Sequence, residues 1–409
     1  MTDIDRMLHP DEARAIVLSF ARPLPAERAP LIACGGRILA RPLIAAESLP
    51  AFRAATMDGF AVVSSDASDV REVRGGGLAG AVPDQRVETG YAARIMTGAP
   101  VPDGADAVVP VENSEMAGAG VRILQALVRP GENIRPVGSD MRKGEHVLGA
   151  GVRLSAPDLG LLASLGHAEV EVGRQPRVAV FSTGDEVVAP EVAPGPGQIR
   201  DANRFTLDFA VKQAGGCVVL NAHIPDDEGA LRAAFAQALE VADVILTSGG
   251  VSMGDRDLVK ALLGEFAEVH FRRVFMKPGK PLNFATAGDK LIFGLPGNPV
   301  SCLVAFHMFA RPALSILEGA PAPEHATVTV LLANDVQPSD RIEYQRAHVA
   351  SRQDGRLSAS TTGPQQSSRL QSFVGANGFL VVPPGEDRLA AGNVLDAILF
   401  APPFGVPAD

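Results

Sequence analysis

Aromatic residues are scarce in this 409-residue chain: tryptophan is absent, tyrosine occurs twice, and aromatics make up only 5%. A chain with so few aromatic rings offers few platforms on which nucleic-acid bases could stack. Its formal net charge of −10 also disfavours non-specific binding to a nucleic-acid backbone. We therefore expect no nucleic-acid partner, while a local basic site for a small anion stays compatible with the composition.

Cysteine is also rare, and its three positions, Cys34, Cys217 and Cys302, are isolated and odd in number. Without a C-x-x-C pair, the chain shows neither a disulfide framework nor a thiolate zinc site. The eight histidines lack H-x-x-x-H spacing, and no Ser/His/Asp triad is legible. Zinc catalysis and covalent serine chemistry are therefore unsupported.

Long apolar runs are missing too, because the longest candidate, 299–317, contains His307 and Arg311. The N-terminal stretch MTDIDRMLHPDEARAIV is acidic and lacks the basic start and apolar centre of a signal peptide. We expect a cytoplasmic protein without a membrane partner.

Glycine (42 residues) and proline (32 residues) are abundant, and the length predicts two to four domains. Ala13, Ile16, Val17 and Phe20 fall on one face of a predicted N-terminal helix. From about residue 50 to 135, short apolar pieces separated by glycine and proline predict a small β domain. Helical patterns on both sides suggest that this β domain interrupts a discontinuous one.

From Pro176 the pattern alternates between strands and helices, which predicts a parallel sheet with right-handed crossovers. The predicted strands are RVAVFS, CVVLNAHI, DVILTS and LIFGL, and a predicted helix begins at Asp227. RVAVFS, DVILTS and LIFGL end in the loops STGDE, TSGG and GLPGNP. Ligands of such sheets bind at the carboxyl ends of the strands. Three glycine-bearing loops at three strand ends therefore predict one binding site. After residue 323 the sequence again shows strand-like segments, which predict a last all-β domain.

The loop TSGGVSMGDRD, residues 247–257, could offer backbone amides to an anion, or it could be a tight turn without a ligand. It fits neither G-x-x-x-x-G-K-[ST] nor G-x-G-x-x-G, so an ordinary P-loop NTPase and a Rossmann dinucleotide site are both disfavoured. In MKPGKPLNF, prolines stiffen a turn that carries Lys277 and Lys280, a pattern that suits a small oxyanion or an exposed basic turn.

Acids accompany these anion-binding patterns: Asp185 and Glu186 follow one strand, and Asp201, Asp255 and Asp257 precede helices. Asp201, Asp255 and Asp257 could simply stabilise helix starts. Carboxylates that face an anion site would repel the ligand unless a cation lies between them, and carboxylate oxygens favour Mg²⁺. Asp58, in a Met-Asp-Gly turn, could likewise be structural.

Taken in order, several motifs carry a resemblance to a known family: ATMDGFAV, RIMTGAPVPDGADAVVPVE, GENIRPVGSDMRKGEHVLGAG, FSTGDEVV, GQIRDANR, TSGGVSMGDRD, MKPGKPLNF and FGLPGNPVS. Together they resemble the molybdopterin molybdenumtransferases, the bacterial MoeA proteins, which are related to the E domains of gephyrin and the plant Cnx proteins. The resemblance spans nearly the whole chain.

The resemblance implies an enzyme of molybdenum cofactor biosynthesis that inserts molybdate into adenylylated molybdopterin and releases AMP in a Mg²⁺-dependent reaction. It implies a multidomain α/β fold: a parallel three-layer α/β domain, a β insertion, a discontinuous mixed α+β domain and a C-terminal β-barrel. We place these at 175–320, 49–136, 1–48 with 137–174, and 321–409. It also implies a homodimer with the active site across the subunit interface, and transient contacts with the adenylyltransferase of the pathway and with molybdoenzyme apoproteins.

Motif by motif, the resemblance implies three groups of site residues. Catalytic roles fall on Asp58, Asp140, Glu186, Asp201, Ser252 and Asp257, of which Glu186, Asp201 and Asp257 would bind the metal. Molybdate would contact Lys277, Lys280, Ser301, Arg346 and Ser372. The pterin and its phosphates would lie against Thr97, Thr183, Gly184, Asp185, Ser248, Gly249 and Gly250.

Two departures from the family pattern limit this transfer. Arg273 stands where some relatives have a lysine, and Arg53-Ala54 stands where many have Asp-Asn. Two other functions stay open: the preceding adenylyl-transfer step, since the α/β domain is shared, and a noncatalytic scaffold like that of gephyrin. The acids, the lysines and the extra domains favour the transferase.

Overall fold

The computed structural model describes residues 4–77, 85–250, 258–322 and 326–405. The chain divides into two compact units. The larger comprises Met1–Ala40, Gly151–Leu159 and Glu169–Asp409, and the smaller comprises Arg41–Ala150 with Gly160–Ala168. The chain thus passes from the larger unit into the smaller one twice and returns each time. This division into two units does not test the bounds of the four predicted domains, which stay predictions.

A seven-stranded sheet organises the larger unit. Across the sheet its strands are Met7–Leu8, Glu268–Val274, Pro281–Ala287, Lys290–Leu295, Val244–Ser248, Arg177–Thr183 and Cys217–Ile224. The last four run parallel to one another. This confirms the α/β fold class and the predicted strands RVAVFS, CVVLNAHI, DVILTS and LIFGL.

The sheet is mixed rather than wholly parallel, because Pro281–Ala287 runs antiparallel to both of its neighbours. Its link to Lys290–Leu295 is the two-residue turn Gly288-Asp289, in which Gly288 has φ +58°. So short a connection can join only antiparallel strands, since a parallel crossover needs a dozen or more residues.

Helices cover both faces of the sheet. Their bounds are Pro10–Phe20, Asn203–Gln213, Glu228–Val241, Leu258–Phe266, Pro299–Ala305 and Arg311–Leu317, and a further helix spans Ala156–Ser164. Val178 and Val180 point into one apolar core with the first helix and residues 299–317. Ala179 and Phe181 point into the opposite core, against Leu231 and Phe235. The predicted three layers are therefore confirmed.

The apolar stretch 299–317 is a core helix. Pro299–Ala305 and Arg311–Leu317 are joined by the π-helical segment Phe306–Ala310, directly before Pro312. Proline supplies no amide hydrogen for the helical ladder, which explains the irregular turn. The stretch is long and apolar enough to cross a membrane, but 83% of it is buried within the protein.

A closed barrel forms the C-terminal part of the larger unit, as predicted. In order around the barrel its strands are Ile342–Ser351, Leu357–Thr361, Ala326–Leu332, Val394–Leu399 and Gly378–Val382, and the last pairs with the first. Met276–Lys277 adds a short parallel strand to this sheet and pairs with Ile342 and Glu343. The loop between the sheet strands Glu268–Val274 and Pro281–Ala287 therefore also contributes a short strand to the barrel.

The smaller unit contains a six-stranded sheet. In order its strands are Ala107–Pro110, Gly59–Val62, Tyr91–Ile95, Val70–Gly77, Gly120–Ile123 and Ser114–Ala117. The remaining described strands form two-stranded sheets. In this unit, Ala54–Ala55 pairs with Ile134–Arg135, and Leu43–Ile44 pairs with His146–Leu148. In the larger unit, Ala26–Pro30 pairs with Glu169–Gly173, and Val187–Val188 pairs with Ile199–Arg200.

A buried ion pair anchors the sheet of the smaller unit. The Asp66 carboxylate accepts hydrogen bonds from Arg71 Nε, Ser68 N and Gly90 N, each at 2.9 Å. Burial alone would raise the pKa of Asp66, but these hydrogen bonds outweigh it and lower that pKa to about 2. Asp66 therefore stabilises the folded state in its charged form.

Replacing this acid, Asp66→Asn, should lower the free energy of unfolding at pH 7 by about 3 kcal/mol, because it leaves the buried Arg71 guanidinium unpaired. Since the folded pKa is depressed, the contribution is complete above the unfolded pKa and is lost as pH falls from about 4 towards 2. Urea unfolding followed at several pH values measures both effects. Asp69→Asn, at an exposed pair with Arg122, is the control and should cost less than about 1 kcal/mol. A pH-independent difference between Asp66→Asn and wild type would contradict the assignment.

Candidate functional site

Three neighbouring parallel strands end at one edge of the α/β sheet. The register pairs Ser182 with Ser248, and Ser248 with Leu295. The loops that follow meet closely: Gly249 N donates to Leu295 O at 3.3 Å, and a Cβ on Gly297 would lie 3.6 Å from Gly249 Cα. The three loops predicted to form one site are thus brought together.

A cavity of about 800 Å³ opens at this edge, between the strand-end loops, the turn 277–281 and the barrel loop 365–367. The predicted site residues that line it are Thr183, Glu186, Asp201, Ser248, Gly249, Gly250, Lys277, Lys280 and Ser301. Gly184 and Asp185 lie directly beside this wall in sequence. A volume of this size suits a ligand of several rings or phosphate groups.

The two lysines are held on a constrained turn. Gly279 has φ +106°, and a Cβ there would lie 2.3 Å from the Met276 side chain, which is itself buried. Val274 N donates to Lys280 O at 3.0 Å. The turn therefore has little backbone freedom, as its prolines predict.

Lys277 also contacts an acid that the sequence did not reveal. Its Nζ lies 2.6 Å from Glu343 Oε1 of the barrel. No local motif marks Glu343, because the contact depends on the pairing of strand Met276–Lys277 with strand Ile342–Ser351.

Buried hydroxyl groups lie at the same strand ends. The hydroxyls of Thr183, Thr247 and Ser248 are buried and have no hydrogen-bond partner within the described ranges. Thr183 and Ser248 line the cavity. A buried hydroxyl without a partner costs free energy, which a polar ligand in the cavity can recover.

Asp201 is engaged in a polar network beside the cavity. Its Oδ2 accepts from Ser182 Oγ at 2.6 Å and from Arg204 Nε at 3.0 Å, and its Oδ1 accepts from Arg204 N at 3.1 Å. This is the helix-start role that the sequence also allowed. Its predicted role as a metal ligand stays a prediction, and in this structure a guanidinium already neutralises the carboxylate.

Glu186 lies in an acidic environment. Asp185 Oδ1 accepts a hydrogen bond from Asp226 N at 3.1 Å. Burial, followed by the charges of Asp185 and Glu186, raises the pKa of Asp226. Asp226 was not predicted from the sequence, although it follows strand Cys217–Ile224, whose carboxyl end lies at the same edge. A divalent cation near Glu186 would relieve the repulsion between these acids.

Among the described residues, no three His, Cys, Asp or Glu side chains form a group that could hold a metal by themselves. Mg²⁺ commonly takes one or two carboxylates and completes its coordination with substrate phosphates and water. The exposed carboxylate of Glu186 on the cavity wall fits such a partial site.

Arg346 and Ser372 lie together in the barrel. Arg346 is fully buried, and its Nε donates to Ser372 Oγ at 3.0 Å. Its backbone N donates to Gln365 Oε1 at 2.8 Å, and Gln365 lines the cavity. The predicted pair is thus joined to the cavity wall through one residue, and its contact with an anion stays a prediction.

The remaining predicted residues among those described belong to the smaller unit. In the smaller unit, Asp58 Oδ1 accepts from Thr97 N at 2.7 Å and from Thr97 Oγ1 at 2.8 Å, and these hydrogen bonds lower the pKa of Asp58. Asp140 forms an ion pair with Arg135. Ser252 and Asp257, like Asp255, lie outside the described residues.

Further polar residues of the cavity wall carry no prediction from the sequence. They are Ser182, Arg200, Asn203, Asn298, Arg341, Gln365, Gln366 and Ser367. Asn203 could have been predicted from the sequence, because it lies in the RDANR motif two residues after Asp201. Arg341 and residues 365–367 come from the barrel, whose approach to the sheet has no local sequence signal.

Models of known protein families match most of the chain. The model for the MoeA N-terminal region (domain I and II) matches residues 8–166. A model described as a probable molybdopterin binding domain matches residues 179–315, and the model for the MoeA C-terminal region (domain IV) matches residues 329–400.

Individual relatives agree with these matches. The chain is 35% identical over 395 residues to the molybdopterin molybdenumtransferase of Haemophilus influenzae, covering 95% of this chain and 98% of the relative. It is 37% identical over 402 residues to molybdopterin molybdenumtransferase 2 of Mycobacterium tuberculosis, covering 94% and 97%. It is 35% identical to gephyrin of Dictyostelium discoideum, covering 90% of this chain and 58% of gephyrin.

The fold also matches a solved structure. The molybdopterin biosynthesis MoeA protein from Pyrococcus horikoshii superimposes with a TM-score of 0.81 at 31% identity, covering 97% of this chain and 100% of that one.

Gly249→Ala should damage the site, because Gly249 has φ +96° and a Cβ there would lie 2.8 Å from Thr183 O. We expect a loss of about 1–3 kcal/mol in stability, together with weaker binding in the cavity. Thermal unfolding measures the first effect. Gly264→Ala, in helix Leu258–Phe266 with nothing near its Cβ, is the control and should be neutral or stabilising. Equal effects of the two substitutions would show that the loop is not constrained as described.

Proposed function

Because this chain belongs to the MoeA family of molybdopterin molybdenumtransferases, we propose that adenylylated molybdopterin and molybdate meet in the cavity at the edge of its α/β sheet. The chain is a molybdopterin molybdenumtransferase of molybdenum cofactor biosynthesis. The observation that carries the proposal is that the strand-end glycines, Lys277 and Lys280 line one cavity.

The charge distribution supports separate places for the two substrates. Gly249 and Gly250 have positive φ values and stand where backbone amides can meet phosphate oxygens. The buried hydroxyls of Thr183 and Ser248 can donate to or accept from the pterin. Lys277 and Lys280, on the opposite turn, would hold the molybdate dianion, with Ser301 beside them.

We assign Mg²⁺ to the phosphate side of the cavity, with Glu186 as its ligand from the described part of the chain and substrate phosphate and water as the others. Bound there, Mg²⁺ would act as a Lewis acid on the pyrophosphate. The protein's own contribution is electrostatic: amides stabilise the negative charge that develops on the pyrophosphate, and the lysines keep the oxyanion close to the dithiolene. Water would add across the P–O–P bond of the pyrophosphate, which would release AMP and leave one phosphate on the pterin.

The competing assignment is the preceding adenylyl transfer. An α/β domain alone does not distinguish the two reactions, since fold does not fix function. The matches to the MoeA N-terminal and C-terminal regions favour molybdenum insertion. A scaffold role has less support, because this chain corresponds to only 58% of gephyrin and retains the lysines and acids of the cavity.

We further propose a cytoplasmic homodimer in which Asp58 and Thr97 of one copy complete the cavity of the other. Asp58 is exposed and carries a lowered pKa, so it presents a carboxylate charge at the surface of the smaller unit. Transient partners would be the adenylyltransferase that supplies the substrate and the apoproteins that receive the cofactor. Neither nucleic acid nor membrane is expected as a partner.

The central test is AMP release by the purified chain with adenylylated molybdopterin, molybdate and Mg²⁺. Lys280→Ala should raise the KM for molybdate about tenfold or more, because it removes a cation from the oxyanion site. Glu186→Gln should instead raise the Mg²⁺ concentration required for half-maximal rate. Separate titrations of molybdate and Mg²⁺ distinguish the two variants.

Lys212→Ala is the matched control, since Lys212 pairs with Asp208 on a helix surface. It should leave both titrations unchanged. ATP-dependent adenylylation of bare molybdopterin, without release of AMP in the presence of molybdate, would contradict the proposed function.

A shared site makes a second prediction. At molybdate concentrations well below the wild-type KM, Asp58→Ala and Lys280→Ala should each show about a tenth or less of the wild-type rate as homodimers, but a mixed dimer would retain one intact site, assembled from the unchanged parts of both chains. After subunit exchange at equal amounts, we expect about a quarter of the wild-type rate of AMP release. No recovery, despite mixed dimers shown by native mass spectrometry, would mean that each copy builds its site alone.

A further inference from the structure

A buried acid contacts one of the two lysines of the proposed oxyanion site. Parallel pairing places Lys277 beside Glu343, and Lys277 Nζ lies 2.6 Å from Glu343 Oε1. The Glu343 side chain is only 7% exposed, whereas the Lys277 side chain is 46% exposed. One side of the ammonium is therefore occupied by a buried carboxylate, and the other side faces the cavity.

The same carboxylate lies near a second cation. Arg346 is fully buried, and its Nη1 and Nη2 have no hydrogen-bond partner in the part of the chain that the structure describes. Burial lowers the pKa of Arg346 to about 10 while Glu343 opposes that shift, so the guanidinium is charged at neutral pH. Gln345 Nε2 donates to the other oxygen of Glu343. Glu343 is thus held in place from several sides.

An oxyanion on Lys277 must compete with this acid. The ammonium has three N–H donors, and Glu343 takes one of them. A dianion bound to the open side would lie within several ångströms of the Glu343 charge, a distance at which like charges repel appreciably in a partly buried site. The affinity of the site for an oxyanion is therefore lower than that of two lysines alone.

This inference rests on the proposed function. We propose that Glu343 is a positioning residue: an internal counter-ion that orients Lys277 and limits how tightly the cavity holds molybdate. This limit matters for the reaction because the molybdate must leave the lysines and move to the dithiolene. An anion held too firmly in the ground state would resist its passage to the dithiolene, since uniform tight binding does not raise the rate of the chemical step.

The test is calorimetric titration of sodium molybdate into wild type, Glu343→Gln and the control Glu386→Gln. The amide keeps an acceptor for Lys277 but removes the charge, so we expect the Kd for molybdate to fall about three- to tenfold. The KM for molybdate in AMP release should fall in parallel, without a rise in kcat. The control, which removes an exposed acid of the barrel outside the cavity wall, should match wild type.

Unchanged or weaker binding by folded Glu343→Gln would overturn the inference, because a purely structural role predicts that outcome. If Glu343→Gln does not fold, Glu343→Asp replaces it: this variant keeps the charge but withdraws it from Lys277, and a Kd equal to that of wild type would then overturn the inference.

The proposed function can fail separately. If wild type binds molybdate and Lys280→Ala weakens that binding, the oxyanion site is supported, and only the role of Glu343 depends on its own variant. If wild type does not bind molybdate, the oxyanion site and this inference are both wrong.

Discussion

The chain segment that the candidate site depends on is the turn between strands Glu268–Val274 and Pro281–Ala287. Its outer strands belong to the α/β sheet, while Met276–Lys277 pairs with the barrel. A single loop is thus fixed by two sheets. Because both cavity lysines lie on it, their positions depend on the barrel's attachment as much as on the α/β fold. Met276, fully buried, packs into an apolar core that also contains Tyr344 and Phe379 of the barrel.

Charged side chains reach the cavity from different elements. Lys277 and Lys280 come from the turn and Arg341 from the barrel, while Glu186, Arg200 and Asp201 come from the segment between strand Arg177–Thr183 and helix Asn203–Gln213. In the proposed assignment, phosphate and molybdate are therefore met by different elements. Such a division lets two anions occupy one cavity, since each can find its own compensating charge and the protein dipoles are already oriented.

Local sequence patterns were sufficient for much of the fold and part of the site. Strand Cys217–Ile224 and the helix that follows Asp227 agree with prediction, because buried strands and capped amphipathic helices have local signatures. The antiparallel strand Pro281–Ala287 was missed although the turn Gly288-Asp289 marks it. The cavity loops were also predictable, since strand ends in α/β sheets carry ligands.

What could not be predicted depends on contacts between distant segments. Glu343 lies 66 residues beyond Lys277 in the sequence, and nothing near either residue indicates their pairing. Likewise, Asp201 could be a helix-start residue or a metal ligand on sequence grounds, and only its bonds to Ser182 and Arg204 show how its charge is balanced. In both cases the chemistry of a charged group is set by its neighbour across the fold.

An anion site that must also release or transfer its ligand requires a limited affinity for that ligand, which explains why acids belong in it. A cavity lined only by lysines and amides would bind molybdate and pyrophosphate strongly, but it would hold product-side anions equally well. In the proposed site, Glu186 on the wall would lower that affinity near the phosphates, and Glu343, paired with Lys277, would lower it near the oxyanion. The net field is then weak enough for AMP to leave and for molybdenum to move, while the individual contacts stay strong enough to orient each group. Precise orientation with moderate affinity is the combination that a transfer between two bound anions requires.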